Sequence, residues 1–172
     1  MPSDSATDWN AWHDDYADPE SALSIRLALV RSEIRSALAG HAAARDGPLT
    51  VVNACAGDGR DILGVLAESA IRAPVEATLL ETDPRNLARA ARFCRDTGLV
   101  GVRLLNRDAG LSSSYLDAAP ADLVLMCGVF GNLTDADVRR LIEFLEGSVG
   151  THRFDGEPQP LPAGQRLFRF VR

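Results

Sequence analysis

Apolar residues recur along this chain with two periods, and the alternation between them outlines a fold. From Glu20 to Leu38 the segment ESALSIRLALVRSEIRSAL sets Leu23, Leu27, Val30, Ile34 and Leu38 on one helical face. Asp18 followed by Pro19 marks its start, because aspartate caps free amides and proline suits the first helical position. HAAARDGP then breaks the pattern. LTVVNACA (49–56) is apolar without alternation, as befits a strand buried on both faces. GRDILGVLAESAI (59–71) returns to helical spacing with Ile62, Leu63, Leu66 and Ile71, and VEATLLE (75–81) reads as a second strand. TDPRNLARAARFCRDTG (82–98) is a helix capped by Asp83, opened by Pro84 and stopped at Gly98. VGVRLLN (100–106) and ADLVLMCGVF (121–130) supply two more strands. TDADVRRLIEFLEG (134–147) predicts a helix, with Thr134 and Asp137 at capping-box spacing.

Strands alternating with helices imply right-handed βαβ units, hence an α/β, Rossmann-like, mostly parallel sheet with helices on both faces. After residue 147 the character changes: a proline-rich loop leads to RLFRFV (166–171), whose period of two suits an edge or antiparallel strand. The expected organisation is a single domain over 1–172. Residues 1–40 form an N-terminal helical lid, and 148–172 a C-terminal loop plus strand.

Composition narrows the function. The net charge of -6 argues against a nucleic-acid backbone as partner. All 18 basic residues are arginine, so Walker lysines, Schiff bases and lysine general bases are excluded. No apolar run approaches a membrane span, and the acidic, polar N-terminus is unlike a secretory signal; a cytoplasmic protein is expected. Cys55, Cys94 and Cys127 lack CxxC spacing and read as reduced, small packing residues; Cys55 and Cys127 each end an apolar run, which would allow them to be neighbours. His13, His41 and His152 are scattered, so no metal site is expected.

Ligands of parallel α/β sheets sit beyond the carboxyl ends of the strands. Here those ends carry Gly57-Asp58-Gly59, Glu81 and Asp108. A dinucleotide site needs G-x-G-x-x-G, but after Gly57 and Gly59 the third glycine position is Ile62, a register begun two residues earlier starts on Cys55, and Asp58 would repel a pyrophosphate. S-adenosylmethionine fits acids better: it carries adenine and ribose, no phosphate, and a sulfonium and an ammonium.

The motifs VVNACAGDGRD, LLETDP, NRDAG and ADLVLMCGVFGNL, in this order, resemble the class I S-adenosylmethionine-dependent methyltransferases over roughly residues 49–147. The resemblance implies that Ala56, Gly57, Asp58 and Gly59 line the methionine portion. It implies that Glu81, with Thr82 beside it, takes both ribose hydroxyls. Asp108 then accepts from the adenine amino group, the Ala109 backbone meets the ring edge, and Cys127 and Gly128 lie beneath the methyl group. The chain departs from the family at Asn53, where an acid is usual, and at Cys55, where glycine is. The segment that carries the family's fifth strand is missing, so the sheet is truncated relative to the full methyltransferase sheet.

Each feature has a plainer reading. The glycines shape a turn, Asp83 is a cap, and Asp58 is a turn former as readily as a ligand group. Trp9, Trp12 and Tyr16 either staple the first helix to the body or form a lid that excludes water. No general base stands out; His13, His152 and Tyr16 qualify on chemistry alone, so the catalytic residue is left unassigned. The expected function is methyl transfer from S-adenosylmethionine to a small molecule. The alternatives are an inactive cofactor-binding remnant and a nicotinamide-dinucleotide-binding protein. An unpaired edge on the fourth strand calls for RLFRFV docked beside it or for a homodimer.

Overall fold

A computed structural model describes residues 16–44, 47–68 and 74–128, helical positions 136, 139 and 143, and strand positions 153–154, 159–160, 166–167 and 170–171. The first helix, α1, spans Ala22–Ala44. It begins later than Asp18 suggests. Asp18 instead closes a turn by accepting from the Glu20 amide at 2.9 Å, and the Ser21 hydroxyl caps the helix by accepting from the Ser24 amide at 3.1 Å. It also runs past Leu38 and through Gly40 to Ala44, carried by the helix-favouring Ala37, Ala39, Ala42, Ala43 and Ala44. Leu23, Val30, Ile34 and Leu38 are buried along one face, as the spacing predicts.

Next come β1 (Leu49–Ala54), α2 (Arg60–Ala67), β2 (Val75–Glu81), α3 (Pro84–Thr97), β3 (Val102–Asn106), a 3₁₀ turn (Ser112–Tyr115) and β4 (Leu123–Leu125). The predicted end of α2, including Ile71, lies outside the described residues. α3 has the predicted caps: the Asp83 carboxylate accepts from the Arg85 amide at 2.8 Å, and Gly98 at φ 69° closes the other end. β4 is three residues long, shorter than the ten-residue apolar run suggests. Its start is fixed by Asp122, whose carboxylate accepts from the Thr50 amide (2.9 Å) and hydroxyl (3.0 Å). At its other end Gly128, with φ 79°, turns the chain.

These strands form one parallel sheet in the order β3-β2-β1-β4. The order reverses between β1 and β4, which puts a switch point there. Successive residues of β1 serve two cores, as its apolar run requires. Leu49 and Val51 pack with Val30, Ile34, Ile62, Leu63 and Ala90 from the helices, while Val52 and Ala54 pack with Leu80, Ala109, Tyr115 and Ala121. Among the described residues, helices α1, α2 and α3 feed the first core. The second is covered by the β3–β4 connection and its short turn.

Past β4, Ala136, Arg139 and Glu143 are helical and exposed, the polar side of the predicted helix. The tail forms two antiparallel pairings, Arg153–Phe154 (β5) with Phe170–Val171 (β8) and Gln159–Pro160 (β6) with Arg166–Leu167 (β7). RLFRFV is therefore two strand pieces hydrogen-bonded within the tail, not a fifth strand beside β4. Alternating side chains leave its backbone free to pair locally with the equally short partner across the proline-rich loop.

Candidate functional site

The turn after β1 is built from left-handed residues. Cys55 has φ 51°, Gly57 58° and Gly59 69°. At Gly59 a Cβ would lie 2.5 Å from Leu79 Cδ2, so glycine is required there both for its dihedral and for the close approach of α2 to β2. Cys55 adopts the same hand without that freedom, at roughly 1–2 kcal/mol of strain.

Glu81 ends β2 and is only 9% exposed. Its Oε2 accepts from the Gly57 amide at 2.7 Å, and its Oε1 from the amides of Thr82 (2.9 Å) and Asp83 (2.8 Å). The carboxylate thus pins the glycine turn to the end of β2. Of roughly four acceptor positions on a carboxylate, three are engaged. Asp108 follows β3 and is exposed. Its carboxylate accepts from the Gly110 amide at 2.8 Å, and its carbonyl from the Ser114 hydroxyl at 2.6 Å. The buried Tyr115 hydroxyl donates to the Ala109 carbonyl at 2.8 Å, and burial pushes that phenol up to about 12.

Cys55, Leu80, Glu81, Thr82, Arg107, Asp108 and Ala109 line a small open cleft of about 90 Å³ at the carboxyl ends of β1, β2 and β3. Four of the residues singled out in the sequence, Glu81, Thr82, Asp108 and Ala109, therefore meet in one place. Ala56, Gly57, Asp58 and Gly59 adjoin it in the turn. Cys127 and Gly128 lie across β1, on the side of α1, where Arg26 Nη2 lies 3.0 Å from the place a Gly128 Cβ would take. Cys55 is exposed, contrary to its reading as a packing residue, because its left-handed backbone breaks the strand alternation. Partial burial, together with the nearby Glu81 and Asp108 charges, pushes its thiol up.

Asp58 is already paired. Its carboxylate takes the Arg60 guanidinium through Nε at 2.9 and 3.1 Å, and the Arg60 guanidinium carbon stands 4.0 Å from the centroid of the Tyr16 ring. Beneath the turn lies a buried polar group that sequence reading passed over. Asn53 Nδ2 donates to Asp61 Oδ1 at 3.0 Å, the Ile62 amide donates to the same oxygen at 2.7 Å, and the Cys127 thiol bonds the carboxylate. Burial pushes the Asp61 carboxyl up against these bonds. Burial and the Asp61 charge push the Cys127 thiol well above the usual thiol range. Asn53 Oδ1 is buried without a partner. The signal available in the sequence was an acid in the first turn of a helix, eight residues after a polar residue inside an apolar strand.

No protein-family model and no curated protein matches this sequence. Solved structures match the fold. A magnesium protoporphyrin IX methyltransferase from Synechocystis PCC 6803 with bound SAH superposes with TM-score 0.60 at 12% identity, over 84% of this chain and 64% of that one. An rRNA methylase from Streptococcus thermophilus gives 0.48 at 15% identity, over 77% and 69%. A SAM-dependent methyltransferase from Geobacter sulfurreducens in complex with S-adenosyl-L-homocysteine gives 0.47 at 20% identity, over 74% and 51%. At these identities the likeness is one of fold, and it is carried by the Synechocystis structure. The architecture is α/β and Rossmann-like, a fold shared with that methyltransferase. The chain spans 51–69% of the length of these three proteins. Among the described residues no helix is long and apolar enough to cross a membrane.

Proposed function

We propose that the cleft binds the adenosine half of S-adenosylmethionine, and that the protein transfers the methyl group to a small molecule. The observation that carries this reading is the convergence of Glu81, Asp108 and the glycine turn on one cleft at the carboxyl edge of a methyltransferase-type sheet. The donor set suits an uncharged nucleoside and a cationic sulfur. The guanidinium on the rim, Arg107, is held by Asp117 at 2.8 Å and by the Ser114 carbonyl at 3.2 Å, which leaves little to neutralise a pyrophosphate. A dinucleotide is disfavoured for the same reason.

In this reading Glu81 receives a ribose hydroxyl on its remaining acceptor position, and Asp108 with the Ala109 backbone meets the adenine edge. Ala56, Gly57, Asp58 and Gly59 bound the methionine end, and Cys127-Gly128 lies toward the acceptor. When bound, S-adenosylmethionine supplies a methyl carbon on a sulfonium, which an acceptor lone pair displaces as the C–S bond breaks. The chain's own contribution is alignment and exclusion of water. A small acceptor agrees with the acidic charge of the chain, and a cytoplasmic setting agrees with three free thiols.

The shortened sheet, with no strand beyond β4 at that edge among the described residues, favours one second reading, a cofactor-binding remnant without turnover. Melting with S-adenosylhomocysteine, and separately with NADH, tests the cofactor. At 100 times Kd the bound ligand adds about 2.7 kcal/mol. A rise with NADH alone rejects both readings. Turnover of an acceptor panel then separates enzyme from remnant. The homodimer proposed to cover the β4 edge is checked by light scattering; a monomer rejects it.

A further inference from the structure

We propose that Tyr16 and Arg60 form a positioning pair that holds the glycine turn in its ligand-ready shape through Asp58, as Glu81 holds it through Gly57. The proposal rests on the reading that this turn borders the cofactor.

The turn is gripped at two points. Glu81 holds Gly57 through its amide. Next to it, Asp58 is held by Arg60, whose guanidinium carries the Tyr16 ring on its face at 4.0 Å. Neither end of this stack is loose. The Tyr16 carbonyl accepts from the Ser24 hydroxyl at 3.5 Å, which ties it to the first turn of α1. The Arg60 carbonyl accepts from Arg31 Nε of the same helix at 3.0 Å. The Asp58 side chain is 13% exposed and that of Arg60 29%, so the pair is largely shielded from water. A guanidinium between a carboxylate and an aromatic face has its orientation fixed twice, by a forked hydrogen bond and by the ring quadrupole. The consequence for Asp58 is specific. Its charge is spent on Arg60, and its work is to shape the turn rather than to attract the ligand's cation. Removing the ring frees Arg60, Asp58 follows, and the turn must be ordered again on each binding event, which weakens affinity without removing any ligand contact.

The test compares wild type, Tyr16→Phe, Tyr16→Leu, Arg60→Gln and the Tyr16→Leu/Arg60→Gln double variant. S-adenosylhomocysteine affinity is measured by calorimetry, and ligand-free melting is followed in parallel. Tyr16→Leu and Arg60→Gln are each expected to weaken binding about fivefold, roughly 1 kcal/mol. The double variant should be no weaker than the worse single one, because the two residues act as a unit. Tyr16→Phe keeps the ring and should stay within about twofold. Single variants that bind like wild type, a phenylalanine variant as weak as leucine, or a double variant weaker by the product, about 25-fold, would overturn the proposal. If wild type binds no S-adenosylhomocysteine, the cofactor reading falls, and the pair is judged on ligand-free melting alone. There, a double variant that melts no lower than the worse single one upholds the pair, and additive losses reject it.

Discussion

Glu81 makes its contacts through three backbone amides, and that determines how it responds to substitution. Glu81→Gln replaces one acceptor oxygen with a donor. Whichever way the amide turns, an N–H then faces an N–H, and stability should fall by about 1–3 kcal/mol in urea unfolding. Cys55 tests the left-handed position beside it. Cys55→Gly exchanges strain for chain entropy and should be close to neutral. Cys55→Val puts a β-branched side chain at φ 51° and should cost about 1–2 kcal/mol. Asp61 predicts a pH effect. Burial raises its folded pKa above the unfolded value, so the fold holds the proton more tightly, and stability falls as pH rises from the unfolded pKa through the folded one. Asp61→Asn lifts this penalty. Its melting temperature should exceed wild type at pH 8, with a smaller gain at pH 4; an equal gain at both would refute the assignment. Glu81 and Asp108 were legible in the sequence because strand ends announce themselves. The Asn53–Asp61–Cys127 group was not, because it depends on which way side chains leave three different elements.

At the scale of elements, α1 is fastened to α2 by Arg31, whose guanidinium fills the space that a side chain at Gly64 would take. Gly64→Ala should expel Arg31 from the Arg60 carbonyl, a loss of about 1–3 kcal/mol, while gaining roughly 1 kcal/mol in helix propensity. The sign therefore depends on Arg31. In an Arg31→Ala background the same Gly64→Ala change should stabilise by about 1 kcal/mol, which thermal melts of the four combinations would show. The periodicity of the chain located β1, β2, β3 and both caps of α3, since each rests on local patterning. It overran β4, where Asp122 and Gly128 set the limits through bonds to β1 and a backbone turn. It misplaced the start of α1, where Ser21 does the capping expected of Asp18.

For the whole molecule, the order of alternating elements was enough to imply a parallel sheet, and the sheet is parallel in the order β3-β2-β1-β4. What local patterning does not reach is how the end of the chain pairs, because a period of two suits a local antiparallel pair as well as the edge of the main sheet. The tail strands pair among themselves. The two ends of the cleft also differ in how they are secured. The segment after β3 is stapled by the Ser114 hydroxyl on the Asp108 carbonyl and by the buried Tyr115 phenol on the Ala109 carbonyl. That wall is held by side chains bonded to its carbonyls, whereas the opposite wall is a run of left-handed residues held through the Gly57 amide and the Asp58 carboxylate. If the cleft takes S-adenosylmethionine as proposed, free adenosine should bind it and free methionine should be too weak to register in the same calorimetric titration; the reverse order would reject the assignment of the adenosine half to this cleft.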